Sequence, residues 1–234
     1  MEAFTAKINQ HLIMCSEAQV KYFRDTYNVE SVCIPTAINI PDLRPDTDML
    51  NKFSLERGKY FLFMGRLVKD KNPDILIKAF KKSSPDGYKL VITGDNDAMP
   101  QYVDSLHSMA QGNHSVVFTG AVYGEEKETL LRNAFCFCLP STIEGLSIAL
   151  LEAMAHKLPI IASDIEANRE VLATDNAIWV RPENMDDLID AFKRSIYYSK
   201  SCEFLKDENY NLVKDKYSWE TVSKRYIEYV ESIL

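Results

Sequence analysis

Arg66 and Lys71 follow Gly65 in the stretch Gly65-Arg66-Leu67-Val68-Lys69-Asp70-Lys71, directly after the apolar run Tyr60–Met64. A guanidinium presents a planar fork of donors that fits phosphate oxygens, and an ammonium adds a compact positive charge. Gly65 has no Cβ, so backbone there can approach a ligand closely. Standing alone, such a loop reads as ordinary cationic surface. A second cluster changes the weighting. Pro140-Ser141-Thr142-Ile143-Glu144-Gly145-Leu146-Ser147 follows another apolar run and leads into the helix-prone stretch from Ile148 to His156. The first amides of a helix lack internal partners and carry partial positive charge, which makes an anion site. Glu144 precedes that helix and Glu152 lies about two turns into it. The two carboxylates cannot share one contact point, but they can bracket an elongated ligand. Each can accept from adjacent hydroxyls, one at a sugar and the other at a ribose. Glu152 could instead be a solvated helix charge. Its neighbours Leu150, Leu151, Ala153 and Met154 are apolar, which places it at a cleft edge.

The elements that must position these residues follow from periodicity. Continuous apolar runs occur at Tyr60–Met64, Leu90–Thr93, Val116–Thr119, Phe135–Leu139, Ile160–Ala162 and Ala177–Val180. Such runs suit strands buried on both faces. Helical stripes alternate with them: Ile75, Leu76, Ala79 and Phe80 form one, and Leu188, Ile189, Phe192 and Ile196 another. Strand–helix alternation predicts an α/β fold with a doubly wound, Rossmann-like parallel sheet. In such sheets ligands bind beyond the carboxyl ends of strands, where both clusters stand. Upstream, His11–Cys15 reads as a buried strand. Ser16-Glu17-Ala18-Gln19 reads as a capping box opening a helix to about Tyr27, and Val32-Cys33-Ile34 as a short strand. Pro35 ends that strand, and Pro41 and Pro45 mark a linker. Trp219 to Leu234 is an amphipathic helix with Val222, Tyr226 and Val230 aligned.

Composition narrows the function classes. The chain has 234 residues, 46% apolar and 26% charged, which is globular in character. Its formal net charge of -7 argues against broad nucleic-acid contact, which needs Lys and Arg against phosphate. No apolar run approaches the roughly 20 residues that span a bilayer, and Met1 to Gln10 lacks the apolar stretch of a secretory signal. Five cysteines without framework spacing point to reduced thiols and a cytoplasmic setting. Cys136 and Cys138 could form a metal pair, but inside an apolar run they read as small core hydrophobes. The four histidines show no ligand spacing.

Taken together, these motifs resemble the carboxyl-terminal, donor-binding domain of glycosyltransferase family 4, one half of a GT-B fold. Gly65-Arg66-Leu67…Lys71 resembles that family's GRL…K loop. Val91-Ile92-Thr93-Gly94-Asp95 resembles its IvG(d/e) strand end, and Val117-Phe118-Thr119-Gly120 its V.F.G strand. Pro140-Ser141…Glu144-Gly145 is similar to PS..EG, Glu152-Ala153-Met154-Ala155 to EAMA, and Pro159–Asp164 to PViasd. Order and spacing agree from about Lys59 to Ser199. Upstream, Met14–Glu17 is similar to avSe, and Ile34–Asn39 to the interdomain IPNGid, with Thr36 and Ala37 replacing Asn and Gly. Lys157 stands where the family commonly has Gly after the helix, so a strained left-handed cap is expected there.

The resemblance implies that Arg66 and Lys71 hold a donor diphosphate and that Glu144 contacts the donor sugar, with Gly145, Leu146 and Ser147 beside it. Glu152 holds the ribose. The Gly94 and Gly120 loops edge the nucleotide, with backbone near Val122 reading the base. It implies a UDP-, GDP- or dTDP-sugar donor, retention of anomeric configuration, and no cofactor or bound metal. A saccharide or lipid-linked acceptor is expected, in bacterial-type surface polysaccharide or glycoconjugate synthesis, with at most peripheral contact at the inner membrane face. The expected layout is a remnant of the amino-terminal domain over 1–40, a linker over 41–58, the donor domain over 59–215 and a helix over 216–234 returning toward the cleft. On that layout the acceptor domain is missing and the chain is inactive alone. The exposed apolar face expected of Leu12, Met14, Val20 and Phe23 is then expected to seek an amino-terminal-domain partner or a second copy. Two alternatives remain open: a non-catalytic nucleotide-sugar-binding module or regulatory subunit, and a GT-B sugar-nucleotide epimerase.

Overall fold

The computed structural model describes residues 11–43, 48–172, 175–198 and 203–234. Pro45, Ser199 and Cys202, used in the sequence reading, lie outside them. Nearest the amino terminus, β1 (Ile13–Met14), α1 (Glu17–Tyr27) and β2 (Val32–Cys33) form a small unit in which the two strands pair in parallel. A 3-10 helix over Asp48–Phe53 follows. Then come β3 (Tyr60–Met64), α2 (Pro73–Ser83), β4 (Lys89–Thr93), α3 (Pro100–Ala110), β5 (Val116–Gly120), α4 (Gly124–Asn133) and β6 (Cys136–Leu139). The chain ends with α5 (Ile148–Ala155), β7 (Ile160–Ser163), α6 (Glu166–Val171), β8 (Ile178–Val180), α7 (Met185–Tyr197), α8 (Glu203–Tyr217) and α9 (Trp219–Ile233).

The six strands β3 to β8 make one parallel sheet in the order β5-β4-β3-β6-β7-β8. The doubly wound expectation holds. Alternation along each strand splits the core into two layers. Tyr60, Leu62, Val91, Phe137, Leu139, Ile160 and Ala162 face one layer with α5 and part of α8. Phe61, Phe63, Leu90, Ile92, Cys136, Cys138 and Ile161 face the other with α2, α3 and α7. Phe61 is the hub of the second layer, with ring centroids 4.8 Å from Phe192, 5.3 Å from Phe135 and 6.1 Å from Phe80. Both cysteines of β6 are fully buried there.

Strand order reverses between β3 and β6, whose neighbours in sequence lie on opposite sides. That switch point leaves a crevice outside the carboxyl ends of these two strands. The loops carrying Gly65–Lys71 and Pro140–Ser147 leave from there.

Several local expectations change. The stretch read as a buried strand over His11–Cys15 is a two-residue strand and only half-buried, because it pairs with the two-residue β2 and lies outside the six-stranded sheet. Ser16 caps α1 as expected, accepting from the Gln19 amide at 3.3 Å. The return half of a capping box does not form. The Gln19 side chain reaches one residue further back, accepting from the Cys15 amide at 3.2 Å. The remaining orphan amides of α1, at Glu17 and Ala18, donate to the two carboxylate oxygens of Glu170 on α6, at 2.6 and 3.1 Å. Leu12, Met14, Val20 and Phe23 are half-buried rather than an open face. Part of the stretch expected as linker enters the core, with Leu50 and Leu55 buried against it. Along α9 only Val222 is buried, while Tyr226 and Val230 are 48% and 38% exposed. Lys157 does adopt the left-handed conformation, at φ 56°. Its ammonium pairs with Asp207 at 2.6 Å and lies 4.8 Å from the Tyr210 ring centroid.

Candidate functional site

The β3 loop is fastened to its neighbours by backbone. Gly65 donates to Thr93 at 3.0 Å, Leu67 to Asp95 at 3.3 Å, and Gly94 to Gly120 at 2.9 Å. These bonds stack the three loops after β3, β4 and β5 into one wall. A cleft of about 550 Å³ runs along it, lined among others by Gly65, Arg66, Gly94, Asp95, Asn96 and Val122. Gly94 stands at φ 134°, and a Cβ there would meet the Gly65 carbonyl oxygen at 1.9 Å. Only glycine fits where these two loops cross. Gly120 sits at φ 69° and shapes the third loop without lining the cleft. Arg66 is exposed at its mouth.

The β6 loop joins this wall from the other side of the switch point. Thr142 donates its amide to the Asp70 carbonyl at 2.8 Å, and the buried Asn72 side chain donates to the Pro140 carbonyl at 2.9 Å. Lys71 is thereby aimed across the crevice. Its ammonium donates to both carboxylate oxygens of Glu144, at 2.5 and 2.7 Å. The Glu144 side chain is 6% exposed and that of Lys71 20%. Lysine has three N–H donors, so one remains for a ligand beside the pair.

Past Glu144 the chain enters α5. Ser147 is its N-cap and accepts from the Leu150 amide. The amides of Gly145, Leu146 and Ser147 have no hydrogen-bond acceptor among the described residues. The Leu146 side chain packs against the core, so only its backbone is offered to a ligand. Two turns on, Glu152 accepts from Lys127 of α4 at 2.6 Å, with the side chains 20% and 26% exposed. Beneath them His156 places Nδ1 2.8 Å from the Glu152 carbonyl and Nε2 3.0 Å from Glu128. The His156 bond, ahead of the opposing effect of burial, holds the Glu128 carboxyl below its ordinary range.

The candidates thus form one tract across the carboxyl ends of β3 to β6, with Gly65, Arg66, Gly94 and Val122 in the cleft. Lys71, Glu144 and Gly145–Ser147 stand beside it, and Glu152 lies further along α5. Two participants were not foreseen. Lys127 reads in sequence as any solvated helix charge, and nothing in its spacing announces a partner across the fold. Asn96, whose side chain donates to the Leu67 carbonyl at 3.2 Å, is a loop residue of the same kind. The arrangement offers cations and free amides to an anion, with carboxylates flanking it for hydroxyls. Among the described residues no group of His, Cys, Asp and Glu is disposed to hold a metal ion, and no helix is long and apolar enough to cross a membrane.

Residues 47–228 match the family described as Glycosyl transferases group 1. The chain is 33% identical over 171 residues to an uncharacterized glycosyltransferase of Methanocaldococcus jannaschii, covering 72% of this chain and 44% of that protein. It is 32% identical over 209 residues to the O-antigen chain mannosyltransferase of Salmonella typhimurium, covering 83% and 56%. The chain therefore spans about half the length of these curated relatives. Among solved structures, Anabaena HepE in complex with UDP-glucose superposes at a TM-score of 0.86 with 17% identity, over 97% of this chain and 65% of that one. Sucrose-phosphate synthase from Thermosynechococcus elongatus gives 0.85 with 19% identity, over 99% and 60%. At such identities the likeness is one of fold.

Proposed function

We propose, since this chain belongs to the Glycosyl transferases group 1 family and has the GT-B type of fold, that it is the donor-binding half of a retaining, family 4 glycosyltransferase. The observation that carries the reading is the Lys71–Glu144 pair at the switch point. It joins the Gly65–Arg66 cleft to the free amides at the start of α5. A nucleoside diphosphate sugar laid along this tract has its diphosphate against Arg66, the third donor of Lys71 and the Gly145–Ser147 amides. Its sugar lies at Glu144, its ribose at Glu152, and its base at the Val122 loop.

Transfer breaks the bond between the anomeric carbon and the diphosphate oxygen, so negative charge grows on the leaving diphosphate. Donors already aimed at that charge stabilise it without reorganising, each charge-assisted bond contributing about 1.5–3 kcal/mol. No metal is required on this reading, because the cations and amides supply the positive field. A saccharide or lipid-linked acceptor comes from the other half of the enzyme, and the Salmonella relative's O-antigen activity favours surface glycan assembly as the setting. That setting puts the protein in the cytoplasm, at most peripheral to the membrane.

Calorimetric titration with UDP, GDP and dTDP tests the binding. The parent should bind at least one of them. Arg66→Ala combined with Lys71→Ala should weaken that binding at least tenfold, as expected for two lost charge-assisted bonds worth about 1.5–3 kcal/mol each. A double variant that binds like the parent sinks the assignment. Sugar transfer should appear only when an amino-terminal acceptor domain is supplied. Intact binding with no transfer in that reconstituted pair would leave a nucleotide-sugar-binding module.

A further inference from the structure

The small amino-terminal unit meets the candidate site at one point. A Cβ built on Gly145 would lie 3.1 Å from Nε2 of Gln19, the third residue of α1. The orientation of that amide is fixed by its other end. Oε1 accepts from the Cys15 amide at 3.2 Å and from the Cys15 thiol at 3.1 Å. A backbone N–H can only donate, so the oxygen must face Cys15 and the NH₂ group must face Gly145. Burial, the first cause, raises the Cys15 thiol above its ordinary pKa, which keeps its proton for this bond. Nothing among the described residues accepts from Nε2. Its carrier is held firmly, because Ser16 and Glu170 between them satisfy the Gln19, Glu17 and Ala18 amides.

Two donors of Nε2 therefore stand beside the Glu144–Gly145 peptide. Glu144 presents only acceptor oxygens, already held on one side by Lys71. A sugar hydroxyl both donates and accepts. A donor and an acceptor set side by side suit the hydroxyls of a hexose, not the phosphate or the base. We propose that Gln19 is a specificity-determining residue of the sugar subsite, its Nε2 donating to a hydroxyl of the hexose that Glu144 receives. The inference rests on the donor-binding reading above. It adds that part of the sugar's recognition comes from α1, outside the six-stranded body. Gly145 is then needed for space, since any side chain there would push Gln19 away.

Gln19→Glu separates recognition from local structure. The carboxylate still accepts from the Cys15 amide and thiol, the donor toward the sugar is lost, and the negative charge it adds is screened at high salt. Gln19→Met removes both ends at similar volume. UDP and UDP-glucose, GDP and GDP-mannose are titrated calorimetrically against parent and variants, with urea unfolding of each to confirm an intact fold. For the pair that the parent binds, Gln19→Glu titrated at high salt, where its added charge is screened, should weaken the nucleotide sugar about tenfold and leave the free nucleotide within about twofold. Folded Gln19→Glu and Gln19→Met proteins that bind the nucleotide sugar like the parent overturn the role of Gln19 while leaving the donor site standing. Equal weakening of free nucleotide and nucleotide sugar overturns it too, since a loosened α1 would do that. A parent that binds none of the four ligands removes the donor-binding reading, and this inference with it.

Discussion

The Gly94 backbone passes so close to Gly65 that a Cβ on the former would lie 1.9 Å from the carbonyl oxygen of the latter. The two loops need each other at that distance. Gly65 donates to the last residue of β4, and Leu67 to Asp95 just beyond Gly94. Gly94→Ala must therefore push the two loops apart, and at φ 134° it carries backbone strain as well, which for a non-glycine residue costs about 1–3 kcal/mol. Urea unfolding should show a loss of at least that size, and nucleotide binding should fall with it. A Gly94→Ala protein with parental midpoint and affinity would mean that the loops do not cross as described.

Lys71 and Glu144 make a prediction of opposite sense for the two partners. Lys71→Ala leaves a carboxylate that is 6% exposed with no cation beside it. A buried group left without its partner costs about 1–3 kcal/mol, more when charged. Adding Glu144→Gln to Lys71→Ala should recover part of that loss, and a thermal unfolding cycle of the four proteins measures the coupling. If the double variant is no more stable than Lys71→Ala alone, the pair does not matter to the fold.

The sheet was legible because parallel strands covered on both faces leave continuous apolar runs, and the six runs map onto β3 to β8 within a residue or two. The glycines and cations of the switch-point loops were legible because their residue types are unusual there. The pairing of Lys71 with Glu144 was not, since no spacing rule links residues in loops that follow different strands. The same holds for Glu170, which closes the start of α1 from a helix more than a hundred residues away. The capping box formed only in its forward half. Glu170 satisfies the Glu17 and Ala18 amides and Ser16 that of Gln19, while the Gln19 side chain accepts from the Cys15 amide and thiol and not from the Ser16 amide that a capping box would use.

Glu128 supplies a pH dependence. Its carboxyl is held below the ordinary glutamate value of 4.5, first by the His156 bond. A carboxyl whose folded pKa is depressed adds stability above its unfolded pKa and loses it as pH falls through the folded value. Glu128→Gln should therefore be less stable than the parent at pH 7. The difference should shrink once pH drops below about 4.5. Urea midpoints of both proteins between pH 7 and pH 3 check this, and a difference that does not change with pH would remove Glu128 as its source.

The last prediction concerns Lys127, which holds Glu152 at 2.6 Å from the neighbouring helix. On the proposed function Glu152 receives ribose hydroxyls, so it stands near an anionic ligand. Uncompensated, its charge would repel the diphosphate while its oxygens attract the sugar ring of the nucleoside. Lys127 offsets the charge and leaves lone pairs on both oxygens. Unit charges in contact near a protein surface interact by about 1–4 kcal/mol, so a charge acting on a diphosphate further off should matter less. Lys127→Met should therefore weaken UDP or GDP by roughly 1 kcal/mol, about fivefold. Raising the salt concentration should erase much of that loss, because such fields are screened beyond about 10 Å at 0.1 M. Glu152→Gln should behave differently. It removes acceptor strength as well as charge, and should weaken free nucleotide and nucleotide sugar alike at every salt concentration. Glu144→Gln should weaken mainly the nucleotide sugar. Titrations of the three variants at low and high salt separate these roles. A Lys127→Met protein whose loss of affinity is unchanged by salt would show that Lys127 does not act by balancing the charge of Glu152.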